Sequence, residues 1–127
     1  MSVSYPTKLL LAFRSGDRCA FTGCDRSLTI DSQGGSNPAV TGEAAHIAGE
    51  HADAARYDSN MTDQQRNRYS NLIYLCGDHH TQIDKQEKDF TVDKLLKMKA
   101  DHESKVREAM NTAFAEVGFR CAKSPFK

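Results

Sequence analysis

Two closely spaced pairs of metal-ligating residues constrain this chain more than any other feature of its sequence. Cys19 and Cys24 are separated by four residues, and Cys76 is followed at the third position by His79. Zinc in proteins prefers four nitrogen or sulfur ligands in a tetrahedron, commonly supplied as two such pairs. The spacing therefore predicts a structural zinc that holds a small, loop-rich domain together. Unligated buried cysteines are the alternative reading.

The fourth cysteine, Cys121, has no neighbouring ligand, and we leave it out of the predicted site. Disulfides are rare in reducing compartments, so clustered cysteines beside histidines favour metal binding over a disulfide framework. A thiol or redox enzyme would need an exposed, low-pKa pair of the Cys-x-x-Cys type. The sequence contains no such pair.

The length and charge of the chain exclude several classes of protein. A chain of 127 residues suits one domain with one modest core. Seventeen basic residues balance seventeen acidic ones, so no overall positive field indicates a nucleic-acid partner. The longest apolar run, residues 9–13, is too short for a membrane span or a signal-peptide core. We therefore expect a cytoplasmic protein with no membrane partner.

The pattern of apolar and turn-forming residues predicts an α+β fold. Residues 71–76 have the character of a buried strand, and residues 43–47 are short and extended. Polar, glycine-containing loops are expected over 28–42 and 49–60. Helices are predicted over about 7–15, 78–86 and 92–117, with a Thr62-capped helical turn over 62–67. Gly118 is the expected end of the long helix, which predicts a domain over 1–118 and a tail or linker over 119–127.

His80 follows His79 directly and is expected to do something different. Successive side chains on a helix diverge by about 100°, so both histidines cannot face one ion. His80 and Asp84 are four residues apart and share a helix face. An imidazole and a carboxylate together suit Mg²⁺ or Mn²⁺. For Asp84 the alternative is an ordinary solvated helix charge.

The order of His46, Asn71 and His80 among the cysteines resembles the HNH endonucleases, which have a ββα-metal fold. The resemblance lies in Gly42–Ile47 and in the run Asn71–Asp84, which reads NLIYLCGDHHTQID. It covers roughly residues 8–105. In detail the chain is most similar to the N-terminal nuclease domain of HNH–SAVED effectors from bacterial CBASS antiphage defence. The fold implied is a ββα core stapled by zinc, with a helix on either side.

The resemblance implies a role for each motif residue. His46 would be the general base that activates water, and Asn71 would hold the His46 loop through a side-chain hydrogen bond. His80 would bind the catalytic Mg²⁺ or Mn²⁺, and the two pairs, Cys19 with Cys24 and Cys76 with His79, would bind zinc. Many relatives carry an Asp or His ligand immediately before the base, where this chain has Ala45. Asp84, Glu43 or a phosphate oxygen could replace that ligand.

The implied activity is metal-dependent hydrolysis of DNA, with double-stranded substrate and little sequence specificity. Weak binding to DNA would require dimerisation or tethering, and in the full-length protein a SAVED domain would sense a cyclic oligonucleotide. Candidate phosphate contacts are the arginines at positions 14, 18, 26, 56, 66 and 68, for which an ordinary solvated surface is the alternative. The competing hypothesis is a non-catalytic zinc module that acts as an adaptor for DNA or protein. That hypothesis explains the cysteines and His79, but not the order of His46, Asn71 and His80.

Overall fold

The computed structural model describes the backbone of residues 2–122 and the side chains of residues 2–117. These residues form four α-helices and four short strands, together with a 3-10 turn over Tyr69–Asn71. In chain order they are α1 (Tyr5–Arg14), β1 (Thr29–Ile30), β2 (Ala39–Val40), β3 (Glu43–His46), α2 (Asp63–Arg66), β4 (Leu72–Leu75), α3 (Gly77–Lys85) and α4 (Val92–Ala122). The predicted α+β class is confirmed.

Strands β3 and β4 and helix α3 form the unit that positions the site. The two strands are antiparallel, with Glu43 opposite Leu75 and His46 opposite Leu72. All four residues of β4 are buried, which agrees with its apolar, β-branched and aromatic sequence. Helix α3 begins directly after β4 at Cys76, so its first turn lies next to the end of the strand. The predicted strand–helix junction is therefore present.

Helix α1 begins two residues before its predicted start because Ser4 and Pro6 form its N-terminus. The Ser4 hydroxyl accepts a hydrogen bond from the Thr7 amide, and proline is well suited to a first turn. The helix ends at Ser15, and Gly16 follows with φ +63°. A Cβ at Gly16 would lie 2.8 Å from Val106 of α4. Glycine therefore satisfies both the left-handed turn and the close approach of α4.

The loop predicted over residues 28–42 contains a small hairpin. Strands β1 and β2 pair there, with Thr29 opposite Val40 and Ile30 opposite Ala39. This hairpin was not predicted from sequence, because turn-forming residues lie between the β-branched residues that pair. The helical turn α2 is capped by Thr62 as predicted, and its capping box is complete because Thr62 and Gln65 bond each other's backbone amides. The loop over 49–60 has no helix or strand.

Helix α4 packs on the domain through its first four turns, from Val92 to Val106. Leu95, Met98 and His102 are buried there, and Lys99 donates a 2.7 Å hydrogen bond to Glu103 beneath the ring of Tyr69. Beyond Val106 the helix side chains are exposed through residue 117. The apolar face of the helix is therefore not packed along its whole length, since Val117 is 66% exposed.

The end of α4 also differs from prediction. The helix backbone passes through Gly118 and continues to Ala122, so glycine does not stop it. Helix propensity disfavours glycine by only about 1 kcal/mol, which its neighbours can offset. Residues 123–127 of the expected tail lie outside the described residues. No helix in the described part of the chain is both long and apolar enough to cross a bilayer.

Candidate metal centre and catalytic site

The structure brings Cys19, Cys24, Cys76 and His79 together into one cluster. One ligand atom from each residue lies within 4.8 Å of the other three. His79 Nδ1 is 3.6 Å from Cys19 Sγ and 3.3 Å from Cys76 Sγ. A tetrahedral ion with Zn–S and Zn–N bonds near 2.3 and 2.1 Å separates its ligands by about 3.5–3.8 Å. The cluster is thus a candidate Cys₃His metal site whose spacing fits zinc.

The local backbone around each pair of residues directs its side chains toward the cluster. Cys19 and Cys24 flank a tight knuckle in which Gly23 has φ +84°, while Cys76 occupies the N-cap of α3. The backbone amide of Cys76 donates to Cys19 Sγ at 3.3 Å. Burial raises the pKa of the Cys19 thiol to about 12 in the metal-free chain. A cation is therefore the group that would stabilise its thiolate.

Phe21 orients the only histidine of the cluster. Its ring stacks on the imidazole of His79 with centroids 3.9 Å apart and planes 6° from parallel. The ring of Phe90 also packs against Phe21, with ring centroids 5.5 Å apart. This aromatic contact holds the Nδ1 edge of His79 toward the three sulfurs. Sequence reasoning missed Phe21, although its place inside the Cys19–Cys24 knuckle is a usable signal.

Asn71 ties the segment after His46 to the segment before β4. Its side-chain oxygen accepts from the Ala48 amide at 2.9 Å, and its Nδ2 donates to the carbonyls of Ala48 and Arg66 at 2.9 and 2.8 Å. Ala48 is 3% exposed, so water cannot replace these bonds easily. One amide side chain thus fixes the backbone on which His46 lies.

The Asn71→Ala variant is expected to lose stability on the order of 2 kcal/mol or more, because it leaves buried backbone groups unpaired. Urea unfolding measures the loss. Asn60→Ala is the matched control, since Asn60 is exposed and bonds Asp58 through its backbone amide. Equal midpoints for the two variants would contradict a positioning role for Asn71.

His46 is oriented by a second asparagine that sequence reasoning missed. His46 Nε2 lies 2.9 Å from Asn67 Oδ1, and Asn67 Nδ2 donates to the Asp63 carbonyl at 3.0 Å. The second bond defines which atom of the amide is the oxygen. An amide oxygen only accepts, so the bond places a proton on His46 Nε2 and leaves the lone pair of a neutral ring on Nδ1. The four-residue helix α2, predicted as a Thr62-capped turn, presents Asn67 at its C-cap.

His80 lies between two carboxylates, away from the cluster that His79 faces. Its Nδ1 is 2.7 Å from Glu43 Oε1, and its Nε2 is 3.4 Å from Asp84 Oδ2. The hydrogen bond with Asp84 raises the pKa of His80 against an opposing effect of burial, and Glu43 adds to the rise. The neighbouring histidines therefore have separate surroundings.

Arg56 reaches the same place from the loop over residues 49–60. Its side chain is 4% exposed and donates to Asp84 Oδ1 at 2.8 Å. It also donates to the carbonyls of Ile47 and Ile83, both at 2.6 Å. Burial opposes ionisation of Asp84, but hydrogen bonds from His80 and Arg56 outweigh it and lower its pKa. Asp84 is thus a partnered group rather than a solvated helix charge.

The prediction of phosphate contacts is wrong for Arg56 and Arg66, because the side chains of both are buried. Arg56 makes the contacts just described, with its backbone in the left-handed region at φ +60°. Arg66 has a side chain 6% exposed that pairs with Asp63 at 2.9 Å and covers the ring of Tyr57. Both side chains are engaged inside the fold, so neither offers a free cation to DNA. No sequence pattern distinguished them from the exposed arginines.

The comparisons with known proteins agree with this arrangement. A model of the HNH endonuclease family matches residues 19–91, more than half of the chain. The chain belongs to that family, which is one of nucleases. The matched range begins at Cys19, includes the cluster and His46, Asn71 and His80, and ends before α4. A search of curated proteins found no match.

Proposed function

We propose that this chain is a metal-dependent endonuclease that hydrolyses phosphodiester bonds of double-stranded DNA with little sequence specificity. The observation that carries the proposal is the placement of His46 on β3, Asn71 in the 3-10 turn directly before β4, and His80 on α3, in a chain of the HNH family. Phosphodiester hydrolysis needs an activated water and stabilisation of the charge that develops on phosphate. His46 and His80 supply the side chains for these two requirements, and Asn71 positions the backbone that carries His46.

His46 is the proposed general base. Its Nε2 proton bonds Asn67, so Nδ1 of the neutral ring is free to take a proton from water. Histidine suits this task near neutral pH. Asn71 acts as the positioning residue, because its bonds to Ala48 hold the backbone two residues beyond His46.

His80 is the proposed ligand of the catalytic Mg²⁺ or Mn²⁺, with Asp84 as the second ligand suggested by the sequence. His80 is partly exposed, at 30%, and a carboxylate oxygen lies near each ring nitrogen. This donor set, nitrogen with hard oxygen, fits such a cation. When bound, the cation would neutralise charge on the scissile phosphate. Cys19, Cys24, Cys76 and His79 would hold a structural Zn²⁺, which fits the cluster spacing.

The competing function is a non-catalytic zinc adaptor, for which the Cys₃His cluster alone would suffice. An adaptor gives no reason for a partly exposed histidine held between two carboxylates, or for a second histidine with its tautomer set by Asn67. We therefore favour the nuclease.

The proposal extends to biological context through the motif resemblance. We propose that the chain is the effector domain of a cytoplasmic CBASS-type antiphage system, activated by a SAVED domain that senses a cyclic oligonucleotide. The distal part of α4 supports coupling to another unit, either a second copy in a homodimer or the sensor domain. Its apolar residues Met110, Phe114 and Val117 are 49%, 65% and 66% exposed.

Cleavage of supercoiled plasmid DNA tests the nuclease directly. The protein should convert plasmid to nicked and linear forms with Mg²⁺ or Mn²⁺, and EDTA should prevent conversion. His80→Ala should eliminate cleavage, with partial recovery at high Mn²⁺, because it removes a ligand of the weaker metal site. Its zinc content and melting temperature should stay near those of the unaltered protein. Cleavage that persists in His80→Ala at low Mg²⁺ would contradict the assignment.

A further inference from the structure

The two carboxylates around His80 cannot both share one cation with it in this arrangement. Glu43 contacts Nδ1 and Asp84 contacts Nε2, and these nitrogens point away from each other across the ring. Among the described residues, the Cys₃His cluster is the one group of three or more histidine, cysteine or acidic side chains whose ligand atoms converge. A cation on His80 therefore has one of the two carboxylates as its neighbour.

Asp84 is the poorer candidate for the second metal ligand because the buried guanidinium of Arg56 already neutralises its charge. The guanidinium of Arg56 donates to Asp84 Oδ1 at 2.8 Å and is held there by the carbonyls of Ile47 and Ile83. With a side chain only 4% exposed, Arg56 has little freedom to withdraw. Its charge would repel a divalent cation placed on the same carboxylate, and partial burial strengthens that repulsion.

Glu43 has no such competitor. Within the part of the chain that the structure describes, no lysine or arginine lies within ion-pair distance of Glu43, whose carboxylate instead contacts His80. Its side chain is 50% exposed, which leaves room for water and a phosphate oxygen. The 2.7 Å between Glu43 Oε1 and His80 Nδ1 is close to the roughly 3 Å between adjacent ligands of a cation with 2.1 Å bonds.

Glu43 also lies on the face of β3 that is directed at helix α3. Side chains of β3 alternate between its two faces, so Glu43 shares a face with Ala45. Ala45 is fully buried opposite Ile73 and offers no ligand atom. The carboxylate of Glu43 therefore provides β3 with an oxygen ligand directed at α3, where His80 lies.

We propose that Glu43 and His80 Nδ1 bind the catalytic cation, and that Asp84 is a positioning residue that accepts the Nε2 proton of His80. Arg56 holds Asp84 in that position. A histidine ligand with a carboxylate on its other nitrogen is a common arrangement in metal sites, since it sets the tautomer and orientation of the ring. This inference rests on the proposed function and replaces Asp84 by Glu43 as the acidic ligand.

Titration of the zinc-loaded chain with Mn²⁺, followed by electron paramagnetic resonance, tests the assignment without DNA. The unaltered protein should bind one Mn²⁺, and Glu43→Gln should lose that binding. Asp84→Asn keeps an acceptor for the Nε2 proton, so it should retain the site with affinity lowered by about 10–100-fold at most. Asp78→Asn is the matched control, because Asp78 is an acidic residue of α3 that is 83% exposed and pairs with Arg26. It should bind Mn²⁺ normally.

Further measurements distinguish the loss of a metal ligand from the loss of the fold. Zinc content and melting temperature show whether Glu43→Gln is folded, and Glu43→Asp, which keeps a shortened carboxylate, should bind Mn²⁺ with intermediate affinity. Loss of Mn²⁺ binding in Asp84→Asn with normal binding in Glu43→Gln would overturn the assignment, as would no binding to the unaltered protein.

Plasmid cleavage on the same samples separates the proposed ligand set from the proposed nuclease function. Cleavage with unchanged Mn²⁺ binding in Glu43→Gln would overturn only the ligand assignment, whereas Glu43-dependent binding without cleavage would overturn only the nuclease.

Discussion

Removal of metal from the Cys₃His cluster is expected to unfold the domain. The cluster joins the knuckle at Cys19 and Cys24 to the strand–helix junction at Cys76 and His79. Zinc in comparable sites contributes on the order of 10–16 kcal/mol of apparent binding free energy, which exceeds the stability of a typical small domain. Elemental analysis should find one zinc per chain, and circular dichroism should show loss of structure when a strong chelator is added.

Cysteine and histidine variants should separate cluster ligands from other thiols. Cys24→Ser should lose zinc and fold together, whereas His79→Cys should stay folded because thiolate is also a good zinc ligand. Cys121→Ser is the matched control and should keep one zinc, since Cys121 is outside the predicted ligand set. Less than half an equivalent of zinc in well-folded, unaltered protein would count against the site.

His46→Ala is expected to reduce DNA cleavage by about 10²–10⁴-fold, the usual effect of removing a general base. Fold, zinc content and DNA binding should remain near those of the unaltered protein, because His46 is only partly buried and its backbone is held by Asn71 rather than by its own ring. Plasmid cleavage rates in Mg²⁺ and in Mn²⁺ measure the effect.

His51→Ala provides the control for loss of a nearby histidine. His51 is 75% exposed, and its contact is with Glu50 at 3.7 Å. Cleavage by His51→Ala should match the unaltered rate. An unchanged rate in His46→Ala would place the base elsewhere, and an equal loss in both variants would indicate a general effect of removing imidazole rather than the loss of a base.

Helix limits were only partly predicted from sequence. The Thr62 cap of α2 was predicted, whereas the Ser4 cap of α1, which also bonds a residue three positions away, was missed. The end of α4 and the packing of its apolar face were not predicted. Helix α4 passes through Gly118, and its apolar residues beyond Val106 meet no core, because periodicity shows which face is apolar but not whether anything covers it.

For the Cys₃His cluster, spacing along the chain was enough to select the four residues that the fold brings together, because two short pairs restrict the geometry that folding can produce. Divergence of neighbouring helix side chains likewise distinguishes His79 from His80 by their positions in the chain alone. The partners of His46 and His80 were not predictable in this way. Asn67 lies 21 residues from His46, Glu43 lies 37 residues from His80, and Arg56 lies 28 residues from Asp84.

The sequence by itself therefore determined the α+β class, the HNH motif and the residues able to bind metal, since each depends on residue type and short spacing. Only the tertiary structure decided how charge is distributed around His80. Arg56 looks like any surface arginine in the sequence, yet the fold buries it against Asp84 and, among the residues that the structure describes, leaves Glu43 without a competing cation. Coulomb interactions depend on distance and burial, and for residues far apart in the chain both are set by the fold.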